Sequence, residues 1–405
     1  MTHPLLDRTI DGILSLHPET LPVFTGNGFA LFADDELRAS FGAAIRLRTL
    51  LKVGGTNPEP FCRLLDEAIA ATASPQPSGD NQRGLNLFAL LPCPLKVPLE
   101  EAFRGFLDGL PVERRASLRF CIEGNANNQL DYSEYIEQFD SLDEIPDIIV
   151  TPGFNAFFYQ RFVERFIRPG LFASVNGFAG DPQLAVLGLT DPEGHYTMLA
   201  MNLLVLVVNH TRLAGRPVPR RWADLLEPAF ARSIAIRGNR DGTFCETLLM
   251  TIRKQFGSDG LARLGKNVRY GWHPSQMVKA VAGNRDDAPA ISVMPLFFAN
   301  TIGHRENVTI VWPEDGALVS PVTMLVKREK RDELADLLRF LTGPEVARIC
   351  AGAFFPALHP VVDNRLPPAA TFTWIGWEYV KDNDLQELIA EANASFQSGF
   401  SGEPG

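Results

Sequence analysis

The sequence has few cysteines and no apolar run long enough to cross a bilayer. It also lacks a concentrated block of basic charge. Its five cysteines, at 62, 93, 121, 245 and 350, form no Cys-x-x-Cys pair and are odd in number. That pattern excludes a disulfide framework and fits reduced, mostly buried thiols. The longest apolar stretch, Met198 to Val208, is interrupted by Asn202. A membrane-spanning helix needs about 20 apolar residues, so no membrane span is expected. Residues 1–16 show no basic start followed by an apolar segment, and Asp7 and Asp11 stand where a leader would be apolar. This reading finds no export signal and places the chain in the cytoplasm.

The formal charge is −10, and the nearest approach to a basic cluster is Arg216, Arg220 and Arg221, broken by Pro217 and Pro219. A phosphate-backbone binder needs clustered cations, so no nucleic-acid partner is expected. No Gly-x-Ser-x-Gly, Walker loop or His-Glu-x-x-His occurs, and the histidines have no metal-ligand spacing. No catalytic residue, metal or cofactor is assigned on these grounds.

What is present is an ordinary globular composition, 45% hydrophobic and 21% charged, over 405 residues. That length predicts two or three folding units. Residues 1–73 read as a small all-α domain. Asp34 and Asp35 mark a helix cap, and Asn57-Pro58 opens a helix with Phe61, Leu64, Leu65, Ala68 and Ile69 on one face. Residues 74–84, rich in Pro, Gly and Ser, read as a linker. From Leu85 onward short apolar strands alternate with helices, the signature of an α/β domain with a mainly parallel sheet. The predicted strands are 85–91, 118–122, 147–150, 203–209, 233–237, 290–294, 308–312 and 322–327. Among the predicted helices are 98–110, 132–139, 156–166, 243–256, 259–264 and 275–282. Residues 399–405 read as a flexible tail.

In open α/β sheets ligands meet the C-terminal ends of strands and the N-termini of helices, where unpaired N–H groups favour anions. Four loops qualify. In 92–96, Cys93 and Lys96 offer a thiol and a charge, or a rigid turn with a buried cysteine. In 151–155, Gly153 permits close backbone approach, Asn155 caps a helix or holds a ligand, and Thr151 is a ligand candidate beside them. In 238–243, Asp241, Gly242 and Thr243 form a glycine-rich helix entrance or a plain cap. In 272–275, Ser275 reads as an N-cap with His273 beside it. His195 and Tyr196 are further candidates, although a lone histidine is usually structural.

The segments Leu206-Val207-Val208-Asn209, Pro219 to Pro228, Ser233-Ile234-Ala235-Ile236, Asp241-Gly242-Thr243, Phe355 to Pro360 and Trp374-Ile375-Gly376-Trp377 resemble one family. It is the type 2 periplasmic (solute-binding) proteins of the ferric-iron-type ABC transporters. The resemblance implies a two-lobed fold over 85–398, with lobe 1 about 85–202 and 317–398 and lobe 2 about 203–316. Ligand would be captured between the lobes by hinge closure. Relatives use paired tyrosines after a strand to hold iron. Here that place reads Met294-Pro295-Leu296-Phe297-Phe298, so Phe297 and Phe298 would line an apolar wall or fill the core.

The N-terminal unit resembles a small helical domain of the redox-disulfide-associated type through Thr9 to Leu14, His17 to Phe24 and Asn27-Gly28-Phe29. It lacks that domain's Cys-x-x-Cys, which leaves a protein-partner or sensing role. The resulting expectation is a non-enzymatic solute-binding protein for a small anionic or metal-chelate ligand. One alternative is an enzyme with Cys93 as nucleophile. A second is the substrate-binding component of an ABC transporter.

Overall fold

The computed structural model describes residues 3–71, 85–124, 136, 138–175, 184, 187–239, 242–283, 285–303 and 306–402. The expected linker, most of the expected helix 132–139, and Asp241 lie outside the described residues. The chain is mixed α/β and divides into two compact units. One comprises Met1–Thr151, Arg161–Ala173 and Met324–Ala335; the other comprises Pro152–Gln160, Ser174–Thr323 and Asp336–Gly405.

The helices named below are α1 (Ile10–Leu16), α2 (Leu21–Gly26), α3 (Asp35–Ala44), α4 (Leu47–Val53), α5 (Pro58–Ala71), α6 (Cys93–Asp108), α7 (Val112–Ser117), α8 (Glu246–Asn267), α9 (Pro274–Ala282), α10 (Leu296–Thr301), α11 (Trp377–Asp382) and α12 (Leu385–Gln397). The strands are β1 (Leu87–Leu91), β2 (Phe120–Gly124), β3 (Ile148–Pro152), β4 (Tyr196–Asn209), β5 (Ile234–Ile236), β6 (Val268–Gly271), β7 (Ile291–Pro295), β8 (Val308–Val311), β9 (Ala317–Val326) and β10 (Phe372–Thr373).

In the first unit α1–α5 enclose an aromatic core. Phe24, Phe32 and Phe61 are fully buried and meet edge to face at 5.4–6.2 Å, a favoured ring arrangement. Asp34 caps α3 through the N–H groups of Glu36 and Leu37, and Asn57 accepts from Glu59 N–H at the start of α5. Both starts are where the capping residues predict them. On α5, Phe61 and Leu65 are buried while Leu64 is exposed. These helices share a unit with parallel β2-β1-β3 and the end of β9. Thr49 donates to buried Glu144 at 3.2 Å, and Arg119 pairs with Asp11 at 3.4 Å.

In the second unit the strand order is β9-β4-β7-β5-β6. β7, β5 and β6 run parallel, and β4 is antiparallel to β7. β4 extends seven residues upstream of its expected start at 203, to Tyr196. Fourteen nearly all-buried residues make its period-2 signal unreadable, so only the most apolar half stands out.

The expected helices 243–256 and 259–264 are two helical segments that meet at a kink at Gly257, where φ is +66°; together they carry the label α8, which starts at Glu246 and ends at Asn267. Helix 98–110 begins earlier, at Cys93, so the loop expected at 92–96 is its first turn. Pro94 suits that turn, where no N–H partner is needed. The flexible tail is also corrected. Phe400 packs on Phe244 at 5.0 Å, and Ser401 accepts two hydrogen bonds from Arg232. Buried aromatic area holds residues 399–402 in place, and 403–405 lie outside the described residues.

Candidate functional site

Three neighbouring parallel strands of the second unit bring their C-terminal ends together. Arg237 follows β5, His273 and Ser275 follow β6, and Phe297 and Phe298 follow β7. The register aligns Ile236 with Gly271, and Ala235 with Ser292. The strand ends approach so closely that a Cβ built on Gly238 would lie 2.8 Å from Gly271 Cα. Two glycines therefore permit the approach where larger residues would push the loops apart.

Arg237 Nη2 lies 3.6 Å from Glu246 Oε2, and Glu246 opens α8. The carboxylate sits at the positive end of a helix and beside a guanidinium, two favourable charge contacts. Gly153 has φ +71°, and a Cβ there would come within 2.9 Å of Glu246 Oε1. The expected role of Gly153 in close backbone approach thus has a specific neighbour.

His273, rather than Ser275, is the N-cap of α9. Its Nδ1 accepts from Ser275 N–H at 3.2 Å and lies 2.8 Å from Ser275 Oγ, while Gln276 accepts from His273 N–H. A backbone N–H can only donate, so Nδ1 is an acceptor and the ring proton sits on Nε2. Desolvation, and next the positive charge of Arg237, hold the His273 pKa below its ordinary value. The ring is edge-on to Phe298 at 5.8 Å. Phe298 meets Phe297 at 4.3 Å, which in turn stacks on Phe355 at 5.2 Å. Phe355 is fully buried, whereas Phe297 and Phe298 are only partly covered. The arrangement offers N–H donors at one side and a flat apolar wall at the other.

The remaining sequence candidates are occupied locally. Asn155 caps a 3-10 turn by accepting from Phe157 N–H, and its amide donates to Pro152 O. Tyr196 is buried, stacks between Phe158 and Trp377, and donates to Phe157 O at 2.9 Å. Desolvation drives its pKa well above the usual range. His195 N–H donates to Asp191, a buried carboxylate that pairs with Lys381 at the foot of β4. Gly242 and Thr243 close a turn rather than open a helix. Thr243 accepts from Asn239 Nδ2 at 2.9 Å, Gly242 O accepts from Gln397, and α8 starts only at Glu246.

In the first unit, Thr151 is buried in β3. Cys93 is exposed at the start of α6 rather than buried, and among the described residues no histidine is bonded to it. Lys96 pairs with Glu100 at 2.8 Å, and that hydrogen bond raises the lysine pKa. Arg237 and Glu246 were missed by the sequence reading. A charged residue directly after a short buried strand, and an acid at a helix start, were the signals for them.

Among the described residues no group of three or more His, Cys, Asp and Glu is placed to hold a metal ion, and no helix is long and apolar enough to cross a membrane. The family described as bacterial extracellular solute-binding protein matches residues 143–383. No curated protein matches the chain. Among solved structures, an ABC transporter protein from Clostridium perfringens is similar at 16% identity and TM-score 0.54, covering 77% of this chain and 99% of that one. The apo ferric ion-binding protein A of Pasteurella haemolytica is similar at 15% identity and TM-score 0.54, covering 78% and 99%. A Trichodesmium protein in complex with iron and citrate is similar at 13% identity and TM-score 0.53, covering 77% and 98%. At these identities the likeness shows the fold, that of the two-lobed periplasmic binding proteins, here with helices added at the N-terminus.

Proposed function

Because the chain belongs to the bacterial extracellular solute-binding protein family, we propose that it is the substrate-binding component of an ABC-type uptake system. The ligand of this proposal is a small anionic organic molecule, or a metal already wrapped in such a chelator. The observation that carries this reading is the convergence of Arg237, His273 and Ser275 with Phe297 and Phe298 at adjacent strand ends. Donors there favour a ligand rich in acceptor oxygens, and the rings favour a ligand with a flat or apolar face. His273 is poised to donate from Nε2. Binding a metal through that nitrogen would require the proton to move to Nδ1, which would break the cap on α9.

Bare ferric iron held by phenolates is a weaker fit, since Phe297 and Phe298 carry no oxygen. The neighbours that bind ferric ion, or iron with citrate, keep the chelate reading in view. The proposal puts the chain outside the cytoplasmic membrane, following the family description; the cytoplasmic reading of residues 1–16 has no independent support. The N-terminal helices serve in this reading as a partner-contact or sensing module.

Calorimetric titration with citrate, Fe(III) alone and Fe(III)–citrate tests the ligand class, alongside native mass spectrometry for a retained molecule. Citrate or its iron complex should bind, and Arg237→Ala should weaken binding by about tenfold or more, the scale of a lost charged hydrogen bond. Tight binding of Fe(III) alone, unaffected by Arg237→Ala, would overturn the proposal.

A further inference from the structure

A cavity of about 540 Å3 lies wholly within the first unit and is built from residues outside the candidate site. Its volume is in the range of small-molecule pockets, about 300–1,000 Å3. The floor lies at the N-terminal edge of β1 and β3, the edge opposite to the strand ends where α/β folds usually bind ligand. Asn86 and Asp147 precede those strands, and Lys327 follows β9. Lys327 and Asp147 are both buried and pair at 3.0 Å, and Asn86 donates to the other Asp147 oxygen at 2.9 Å. The N-terminal helical segment supplies Asp7 and Arg46, so the cavity exists only because those helices meet this sheet.

The balance of charge decides what fits. Lys327 is neutralised by Asp147, Lys330 by Glu333 at 2.7 Å, and Asp7 by Arg48, while Arg114, which donates to Glu333 O at 2.8 Å, adds a further positive charge to the lining. Among the described residues, Arg46 and Asp143 form no ion pair, and Glu329 forms no direct one, although its charge acts on neighbouring Lys330. Arg46 and Asp143 also line a narrow recess together. A simple anion on Arg46 would therefore face Asp143, and a simple cation on the carboxylates would face Arg46. Only a ligand of both signs meets each group with its opposite. An Arg guanidinium grips a carboxylate in two parallel hydrogen bonds, and carboxylates accept from an ammonium group.

We infer that this cavity is a second ligand site, for a small zwitterion of the α-amino-acid class. Its carboxylate rests on Arg46 and its ammonium group on Asp143 and Glu329. The site is independent of the proposed transport ligand.

The test is calorimetric titration of the full chain, after exhaustive dialysis, with each free L-amino acid in turn. At least one should bind saturably. That binding should weaken about tenfold or more in Arg46→Gln and in Asp143→Asn, and stay unchanged in Arg237→Ala. Circular dichroism establishes that each variant is folded; if Arg46→Gln is not, Asp143→Asn decides alone. Inorganic phosphate and putrescine, as single-sign probes, should give no heat. The inference is overturned if no amino acid binds, or if phosphate binds equally well through Arg46. Loss of amino-acid binding in Arg237→Ala but not in Asp143→Asn would also overturn it.

Discussion

At the scale of single residues, the chemistry of His273 depends on one hydrogen bond. Its neutral ring caps α9 through Nδ1, and its pKa is held below the ordinary histidine value by desolvation and by Arg237. A depressed folded-state pKa means that the unfolded chain binds the proton more readily. The neutral ring therefore contributes stability that is complete above about pH 6.5 and is lost as pH falls through the folded-state pKa. Urea unfolding between pH 8 and pH 5 should show this loss. His273→Asn, which keeps a capping oxygen but does not titrate, should flatten the profile over that window.

Gly238 makes a second residue-scale case. An added Cβ would meet the backbone of Gly271 at 2.8 Å, and backbone cannot swing aside as a side chain can. Gly238→Ala should cost about 1–3 kcal/mol, the usual scale of overpacking, read as a lower urea midpoint at an unchanged slope.

At the scale of elements, the C-terminal helix α12 packs unusually tightly on α8. A Cβ on Gly265 would lie 2.2 Å from Phe396 O, and one on Gly399 would lie 2.0 Å from Ala262 O. The contact is backbone against backbone, with the rings of Phe244, Phe396 and Phe400 clustered beside it at 4.5–5.4 Å. Phe400→Ala should destabilise the protein by about 1–3 kcal/mol through lost apolar burial and ring contact. Thermal unfolding monitored by circular dichroism checks this; an unchanged midpoint would mean that residues 399–402 are loose, as composition alone suggests. Ser, Gly and Pro dominate that tail, and one phenylalanine reverses its behaviour because a partner surface is waiting for it.

At the scale of the whole molecule, thiol accessibility offers a global check. Four of the five cysteines are buried, and Cys93 alone is exposed. Burial raises the pKa of Cys121 and Cys350 to about 12 and of Cys245 to about 11, and a thiol that stays protonated reacts slowly. An aromatic-disulfide reagent at pH 8 should titrate one thiol rapidly in the native protein and all five in guanidinium chloride. Fast reaction of two or more native thiols would contradict this packing.

Much of the organisation was legible without coordinates. Alternating short apolar runs and helices announced α/β architecture, and capping residues located α3 and α5, because those signals are local in the chain. The loops after β5 and β6 were also marked by strand-end position, and the one after β7 by the family resemblance. Their contents were less legible. Thr243, Asn155 and Tyr196 were candidates by type, yet each has its polar atom bonded within the fold. Arg237 went unmarked because the expected strand 233–237 took it in as its last residue, whereas β5 ends at Ile236.

The sequence by itself determined the fold class and the places where chain direction reverses. These depend on periodicity, turn chemistry and capping, which act over a few residues. Only the tertiary structure decided that His273 and not Ser275 caps α9, that Phe400 is anchored, and that Arg46 and Asp143 share a cavity. Each of those outcomes is set by a group distant in sequence arriving within hydrogen-bonding or van der Waals range, and no local pattern encodes that arrival.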